Sequence, residues 1–543
     1  MAQTNPTISK GALPTLITVC FFWGFVAASN GIFIPFCKTH FQLNQFQSQL
    51  IDTSFYGAYF FGSLLLYLMS GVSGVDILNR IGYKNGIIIG LSMSVIGALS
   101  LAFVSVSASA TFAMVLASFF IIALGFSLQQ TAAQPFTIAL GSPETGAHRL
   151  NLAGGINSLG TLLGPLAVSY MLFGDLQNGG TATIQSIQTL YLTLAGLFLF
   201  VALFFLFSKN LPTIHQEEHV EKSSKATNIL FLISIPTVLI LFFNDLIPEA
   251  DRVYVVIGSL IVILGLLFYA MGAAAKNKQG WGAMQYPQLV LGMIAIFVYV
   301  GMEVTVQSNM GALLKQPEFG GLDEKYISQF ISLYWGSLMI GRWTGAVAVF
   351  KVSPSVKKLL TVIVPLIAFG VILFVNHLRG NDVENLYVYV LCVLVLIAAF
   401  LYANEQPVRM LFTVAALGTL ALLVGLFTTG TVSTYAFISA GLCCSVMWPC
   451  IFALAIMGLG KYTSQGSAFL IMMILGGAII PPAQGVICDL DKHAPGGILG
   501  MSYTHFSYVL PLLCFIYLAW HALRTSGILK AQGLQVETPA AGH

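Results

Sequence analysis

Long apolar runs alternate with short polar connections along almost the whole chain. A helix needs about 20 apolar residues to cross a bilayer. Stretches of that length and character occur at 12–36, 50–72, 86–106, 111–140, 151–173, 188–208, 228–246, 253–274, 288–311, 327–350, 359–376, 386–403, 409–427, 432–458, 465–487 and 503–523. The pattern predicts an all-α polytopic membrane protein with sixteen spans.

The polar connections carry an uneven distribution of positive charge. With an even number of spans, both termini face the same side. Sixteen of the 23 lysines and arginines then fall on the side of the termini, six on the other side, and Arg342 falls within a span. Cytoplasmic loops are enriched in lysine and arginine. We therefore predict a protein of the cytoplasmic (inner) membrane with both termini in the cytoplasm.

The composition of the chain argues against several other classes of protein. Hydrophobic residues make up 57% of the 543-residue chain and charged residues 8%, against about 25% charged in soluble domains. A net charge of +3 gives no reason to expect a nucleic-acid partner. The eight cysteines include no CxxC pair. Residues 215–219 match the H-x-x-E-H motif of some metalloproteases, but they lie in a polar connection that we interpret as a solvated linker. We expect no metal, no cofactor and no enzymatic activity.

The two halves of the chain resemble each other. Phe55-Tyr56-Gly57 has a counterpart in Tyr334-Trp335-Gly336, and Pro135 has one in Pro449. The offset is 278 residues for the Tyr56/Tyr334 pair and 314 residues for the Pro135/Pro449 pair. Parallel repeats of this kind occur in membrane transporters, and the difference in offset indicates an insertion in the second half. We predict three parts: a six-helix bundle over 1–208, a linker with an extra helix pair over 209–286, and a second bundle over 287–543. A second inserted pair lies within 359–427, but the sequence does not say which two of its three apolar runs were added.

Polar side chains inside the apolar runs indicate a pathway. The stretch 129–165 carries several amides within two predicted spans, and intramembrane polar groups usually face a cavity or a partner. Gly160 and Gly164 have the four-residue spacing that lets helices approach closely. Glu303 is the one carboxylate well inside a core span, with Gln307 one turn further on the same face. A proton carrier and a hydrogen-bonded structural residue are equally open interpretations of Glu303.

Several short motifs of the sequence resemble those of one transporter family. They include Thr131-Ala132-Ala133-x-Pro135, the run 149–153 (Arg-Leu-Asn-Leu-Ala) and the run 157–165 (Asn-Ser-Leu-Gly-Thr-Leu-Leu-Gly-Pro). They are similar to the fucose permease and glucose/galactose permease branch of the major facilitator superfamily. The resemblance implies two pseudo-symmetric six-helix bundles, here with about four extra helices. It also implies a monomeric secondary transporter that moves a neutral hexose or deoxyhexose by alternating access, as symport with H⁺ or Na⁺.

The resemblance also suggests site residues. In the superfamily, the loop after the second helix braces a cytoplasmic gate; here that loop contains Asp76 and Arg80, and Arg342 is its counterpart in the second half. Amides bind sugar hydroxyls and aromatic faces bind sugar C–H groups. The residues that fit this chemistry are Asn30, Gln130, Gln134, Asn157, Gln307, Asn309, Trp335, Trp448 and Gln484. Core packing is the more frequent role for either tryptophan taken alone.

The sequence departs from the family at three functional positions. Gly31 and Gln130 occupy the positions of the family's two acids, and Gly154 that of a glutamine. Neither Gly31 nor Gln130 can titrate, so any ion coupling is expected at Glu303. An uncoupled sugar facilitator, a multidrug or other small-molecule efflux pump and, less favoured, a membrane sensor remain alternatives.

Overall fold

The structure is a computed structural model. It describes residues 11–42, 45–73, 76–107, 109–142, 145–173, 183–211, 223–243, 247–248, 251–322, 324–350, 352–493 and 497–534. The H-x-x-E-H motif at 215–219 lies outside these residues. Asn30 lies in a described helix, but its side chain is not described.

The first part of the chain forms seven helices, which we call the N-terminal group. They are α1 (Ala12–His40), α2 (Gln45–Ser73), α3 (Ile77–Ile81), α4 (Tyr83–Val106), α5 (Phe112–Ala139), α6 (Gly146–Phe173) and α7 (Ile184–Phe207). Two helices follow, α8 (Ser224–Phe242) and α9 (Arg252–Lys276).

The remaining helices form the C-terminal group, in which several long helices are broken into two. They are α10 (Pro287–Ser308), α11 (Met310–Leu314), α12 (Glu324–Ala346), α13 (Pro354–Leu378), α14 (Val390–Ala403), α15 (Pro407–Phe427), α16 (Gly430–Cys444), α17 (Met447–Ile456), α18 (Thr463–Met472), α19 (Gly476–His493), α20 (Tyr503–Phe506) and α21 (Val509–Ala531).

Every predicted apolar stretch coincides with one of these helices or with a broken pair. Among the described residues, eleven helices are long and apolar enough to cross a membrane. Local signals fix several ends. Thr183 accepts a hydrogen bond from the amide of Ser186 at the start of α7 (3.1 Å), and Ser353 caps α13 ahead of Pro354 at its first position. Such caps satisfy amides that have no partner within the helix. The predicted all-α membrane fold is confirmed.

The two groups repeat one packing scheme. In the N-terminal group α4 packs against α5 and α7, and α1 against α6; in the C-terminal group α15 packs against α16 and α21, and α10 against α19. By this correspondence α15 takes the place of α4. By the same packing, α13 and α14 have no counterpart in the N-terminal group, so we propose them as the added pair.

Close helix contacts depend on glycine in both groups. A Cβ atom on Gly160 would lie 2.1 Å from the carbonyl oxygen of Phe21, and one on Gly164 would lie 2.7 Å from that of Phe25. Gly476 brings α19 equally close to α10, where a Cβ would lie 1.9 Å from the carbonyl oxygen of Phe297. The predicted close approach at Gly160 and Gly164 is confirmed.

The α8–α9 pair packs on both groups. Helix α8 lies against α2, and α9 lies against α10 and α19. The Tyr67 hydroxyl of α2 contacts Thr227 of α8 (2.8 Å) and donates to the Ser223 carbonyl oxygen (3.0 Å). The turn after α9 reaches α18, because the amide of Ala283 donates to Gln465. The pair thus covers the junction of the two groups beside α2 and α18.

Candidate functional site: a cavity between the two helix groups

A cavity of about 650 Å³ lies between the N-terminal and C-terminal groups. A volume in this range suits a small-molecule ligand. Both groups contribute side chains to its wall. Eight of the predicted site residues line it: Gln130, Gln134, Asn157, Glu303, Gln307, Trp335, Arg342 and Trp448.

Two predicted sugar-binding residues lie elsewhere. The side-chain amide of Asn309, at the break between α10 and α11, donates to Gln484 Oε1 of α19 (2.7 Å). Gln484 is fully buried, and its amide nitrogen has no partner among the described residues. This pair joins two broken helices and is absent from the cavity wall, because both side chains turn toward the α10–α19 contact.

The N-terminal wall presents neutral amides. Gln130 donates from its amide nitrogen to the Tyr59 hydroxyl (3.0 Å), which orients its carbonyl for another donor. The neighbouring Gln129 is fully buried and holds the interior of the group together, accepting from Trp23 (2.9 Å) and donating to Ser94 (3.1 Å). Adjacent glutamines on one helix therefore have different roles, one lining the cavity and one packed inside the group.

The C-terminal wall holds Glu303 in a defined setting. Tyr299, Glu303 and Gln307 recur every fourth residue of α10, so they share a face. The Tyr299 hydroxyl donates to Glu303 Oε2, and the Tyr334 hydroxyl donates to the backbone carbonyl of Glu303 (2.7 Å). The carboxyl group is thus positioned by its own helix and by α12.

Arg342 connects Glu303 to both groups. Its Nη2 lies 4.0 Å from Glu303 Oε2. Its Nη1 donates to the Ser158 hydroxyl of α6 (2.8 Å), and its Nε donates to the Ser445 carbonyl oxygen (3.2 Å), which lies at the break between α16 and α17. The guanidinium fork suits several acceptors at fixed angles. Arg342 therefore lies in the cavity wall and not in a connecting loop.

Gly154, where the resemblance noted in the sequence places a glutamine, lies against the side chain of Arg342. A Cβ atom at this position would lie 3.1 Å from Cδ of Arg342, and one at Gly155 would lie 2.7 Å from Trp343. Trp343 also donates its indole N–H to the Gly155 carbonyl oxygen (3.2 Å). A glutamine at position 154 would occupy the space that the Arg342 side chain fills.

Two tryptophans of the C-terminal group line the cavity. Trp335 packs edge to face with Tyr334, with ring centroids 5.7 Å apart. Trp448 lies 6.3 Å from the Tyr299 ring and stacks on Phe452. Both rings are half-buried, so each leaves part of its apolar surface available to a ligand.

The groups are joined at one end of the cavity, which we call the Asp76 end. Asp76 caps α3 by accepting from the amide of Asn79 (3.1 Å), and it accepts from the Ser464 hydroxyl at the start of α18 (2.9 Å). Burial raises the pKa of the Asp76 carboxyl group, against these hydrogen bonds. The Ser467 hydroxyl donates to the Thr131 carbonyl oxygen (2.9 Å) in the same region. Arg80 lies exposed on α3.

Many residues of the wall were not predicted from the sequence, among them the polar residues Tyr59, Ser158, Tyr299 and Arg379. Tyr299 could have been found from its spacing to Glu303, whereas Tyr59, Ser158 and Arg379 carry no signal that separates them from other tyrosines, serines or loop arginines. All four line the cavity.

Comparison with known proteins decides the family. The sequence profile of the Major Facilitator Superfamily matches residues 15–482. The chain belongs to this superfamily. This transporter is therefore not an enzyme, and it is a membrane protein, as predicted.

Relatives of the transporter come from several bacteria. It is 29% identical over 523 residues to a glucose/galactose transporter of Brucella abortus, with 96% of each chain covered. It is 24% identical to the L-fucose-proton symporter of Escherichia coli, with 92% of this chain and 90% of the relative covered. A crystal structure of the E. coli fucose:proton symporter matches with a TM-score of 0.62 at 20% identity and covers 94% of this chain and 98% of that one. These matches confirm the predicted resemblance.

Proposed function

We propose that this protein moves a neutral hexose or deoxyhexose, of the fucose, glucose or galactose type, across the cytoplasmic membrane by alternating access. The observation that carries the proposal is the cavity between the two groups, whose wall combines amides with tryptophan rings. The names of the relatives, glucose/galactose transporter and L-fucose-proton symporter, support it. We propose a monomer with both termini in the cytoplasm, so that the Asp76 end faces the cytoplasm.

Each part of the wall has a role in sugar binding. Gln130, Gln134, Asn157 and Gln307 offer both donors and acceptors to hydroxyl groups. Trp335 and Trp448 offer apolar faces to the C–H side of the ring. Neutral donors and acceptors discriminate strongly among hydroxyl patterns, because a missing hydroxyl leaves a buried polar group unpaired.

We propose Glu303 as the coupling residue and the proton as the coupling ion. The groups around its carboxylate are donors, the Tyr299 hydroxyl and the Arg342 guanidinium. A sodium ion needs several oxygen ligands, and a guanidinium 4.0 Å from the carboxylate opposes binding of a metal cation. A proton needs only the carboxylate oxygen. Sodium remains the outcome to be tested against it.

Gating is proposed at the Asp76 end. Opening this end would separate Asp76 from Ser464 and Thr131 from Ser467, while Arg342 would lose Ser158. Arg80, the third proposed gating residue, lies exposed on α3, the short helix that Asp76 caps. These hydrogen bonds between the two groups can be exchanged for hydrogen bonds with water at modest cost, while the packing of Tyr67 on Phe469 would also have to separate.

Reconstitution into liposomes tests the function. Uptake of labelled glucose, galactose and fucose is measured with an inward proton gradient, an inward sodium gradient or neither, beside amino acids and cationic drugs. The proposal expects hexose accumulation only with the proton gradient. Hexose accumulation driven by the sodium gradient would show that sodium is the coupling ion. Equal uptake rates under all three conditions would indicate a facilitator, and transport of cationic drugs alone would indicate an efflux pump. Retained sugar binding without flux would favour a sensor.

The proposed orientation has a separate test. Single cysteines at Lys315 and Lys38 should react with an impermeant maleimide added to intact cells, whereas cysteines at Lys84 and Lys358 should react only after permeabilisation. Reaction of all four from one side would contradict the topology.

A further inference from the structure

Arg379 lies at the end of the cavity opposite to Arg342. It follows the last residue of α13, and its side chain lines the cavity together with Ser328 of α12. The Ser328 hydroxyl contacts Asn381 of the same loop (3.4 Å). Ser328 and Arg342 are 14 residues apart on α12, which corresponds to about 21 Å along the helix axis. Because contacts between the two groups join them at the Asp76 end, we infer that the cavity is entered from the opposite end, at Arg379.

The charge of Arg379 is not offset by its described surroundings. Its backbone amide donates to the carbonyl oxygens of Val375 and Asn376, but among the described residues no acidic side chain pairs with its guanidinium. Burial lowers the pKa of Arg379, yet arginine remains protonated in proteins. The other charged residues of the described wall, Glu303 and Arg342, lie close enough to offset each other. Of the three charged residues in the described lining, Arg379 is thus the one that has no opposite charge within ion-pair distance among the described side chains, the loop acid Asp382 included.

Such a charge acts differently on neutral and anionic sugars. A concave, partly dry wall focuses the field of a fixed charge and raises the local concentration of counter-ions. A guanidinium also binds a carboxylate through two parallel hydrogen bonds. A neutral hexose gains nothing from the field at a distance, whereas a hexuronate does.

We propose that the cavity also admits sugar acids, hexuronates and aldonates, and that Arg379 is the specificity residue that recruits their carboxylate group. The inference rests on the proposed sugar transport. It also gives the added α13–α14 pair a role, because α13 places Arg379 at the entrance.

The position of Arg379 predicts which kinetic constant it affects. Ser328 lies seven residues from Trp335 on α12, or about 10 Å along the axis. A sugar against Trp335 is thus about one Debye length from the entrance at ordinary ionic strength. Arg379 should therefore affect the arrival of the substrate and its KM, and the effect should weaken with salt.

The test compares uptake of labelled galactose and galacturonate by the full chain in proteoliposomes. The variants are Arg379→Gln and Arg379→Lys, with His377→Gln as the control, since His377 is exposed near the same helix end and does not line the cavity. We expect Arg379→Gln to raise the KM for galacturonate about tenfold, the equivalent of removing about 1.4 kcal/mol of attraction. The KM for galactose should stay within about twofold, Arg379→Lys should be intermediate, and His377→Gln should resemble the parent. Raising the salt concentration should weaken galacturonate uptake by the parent more than by Arg379→Gln.

Several results would overturn the inference. One is galactose uptake with no entry of galacturonate and no competition by it. Another is an equal loss for both sugars in Arg379→Gln, which would indicate a structural role. Uptake of galacturonate without galactose would instead refute the proposed neutral substrate and leave the role of Arg379 standing. If neither galactose nor galacturonate is taken up, both the proposed sugar transport and the proposed role of Arg379 are wrong.

Discussion

The two walls of the cavity differ in charge. All three charged residues of the described lining, Glu303, Arg342 and Arg379, come from the C-terminal group, while the N-terminal wall offers neutral amides, hydroxyls and rings. Sugar hydroxyls can be recognised on either wall, but a change of protonation can occur only on one. The resemblance to the fucose permease branch places that family's two acids on the N-terminal side, at positions 31 and 130. In this chain the carboxylate of the described lining, Glu303, lies on the opposite wall.

The largest expected effect is at Glu303. The change Glu303→Gln keeps an acceptor for Tyr299 and removes the titratable group, so gradient-driven accumulation of sugar should be abolished while exchange of labelled for unlabelled sugar continues. The measurement is the steady-state ratio of internal to external sugar in proteoliposomes. Glu318→Gln, at an exposed loop position, is the control and should accumulate like the parent. Accumulation by Glu303→Gln at the parental level would refute the assignment.

Removing an aromatic face should weaken binding. In Trp448→Ala the sugar loses a ring beside Tyr299, and at about 1 kcal/mol for such a contact the KM should rise about fivefold. The change Trp448→Phe should lie between this variant and the parent. Trp520→Ala on α21 is the matched control, because Trp520 is 45% exposed on the outer surface and does not line the cavity. Equal changes for Trp448→Ala and Trp520→Ala would indicate loss of folding.

An acid introduced on the N-terminal wall tests whether only the C-terminal wall can carry the coupling proton. Glutamate has the shape of glutamine, and in Gln130→Glu the carboxylate can accept from the Tyr59 hydroxyl that now accepts from Gln130. We expect sugar exchange to persist, and the pH profile of uptake to gain a second titration step. In the double variant with Glu303→Gln, partial recovery of accumulation would mean that either wall can carry the proton. An unchanged pH profile would show that the acid at position 130 is not linked to transport.

The smallest effect is expected at Asp76. Because burial disfavours the charged carboxylate and raises its pKa, the stability that Asp76 contributes is fully present below the ordinary value of about 3.9 and is lost as pH rises through the raised value. Asp76→Asn can make the same cap and accept from Ser464 at every pH. Asp76→Ala loses a cap of about 1 kcal/mol.

The thermal midpoint in detergent, measured from pH 4 to pH 8, checks this. The parent should lose stability relative to Asp76→Asn as pH rises. The Asp76→Ala midpoint should be lower by a few degrees at every pH. If the thermal midpoints of the parent and of Asp76→Asn change in parallel with pH, the ionisation of Asp76 does not affect stability.

The sequence was sufficient for the long helices and for the principal amides of the cavity. Apolar length predicts every long helix, and Gln130, Gln134, Asn157 and Gln307 do line the cavity. It could not say which two of α13, α14 and α15 are added, because the three helices are similarly apolar and differ only in their packing. It also could not pair Arg342 with Glu303, since the two lie on different helices and nothing in either run specifies their relative rotation. The contact of Asn309 with Gln484 away from the cavity was unpredictable for the same reason, because an amide in an apolar run can equally face another amide.

The two anchors of Arg342 differ in how mutation can reach them. On the N-terminal side the acceptor is the hydroxyl of Ser158, which one substitution removes. On the C-terminal side it is a backbone carbonyl, freed where α16 gives way to α17 at Ser445. A change of side chain at 445 can crowd Gly341, whose own Cβ would lie 1.8 Å from Ser445 Oγ, but it leaves that oxygen in place. A single substitution can therefore remove the hydrogen-bond acceptor of Arg342 in the N-terminal group, whereas no change of side chain at position 445 removes its backbone acceptor in the C-terminal group.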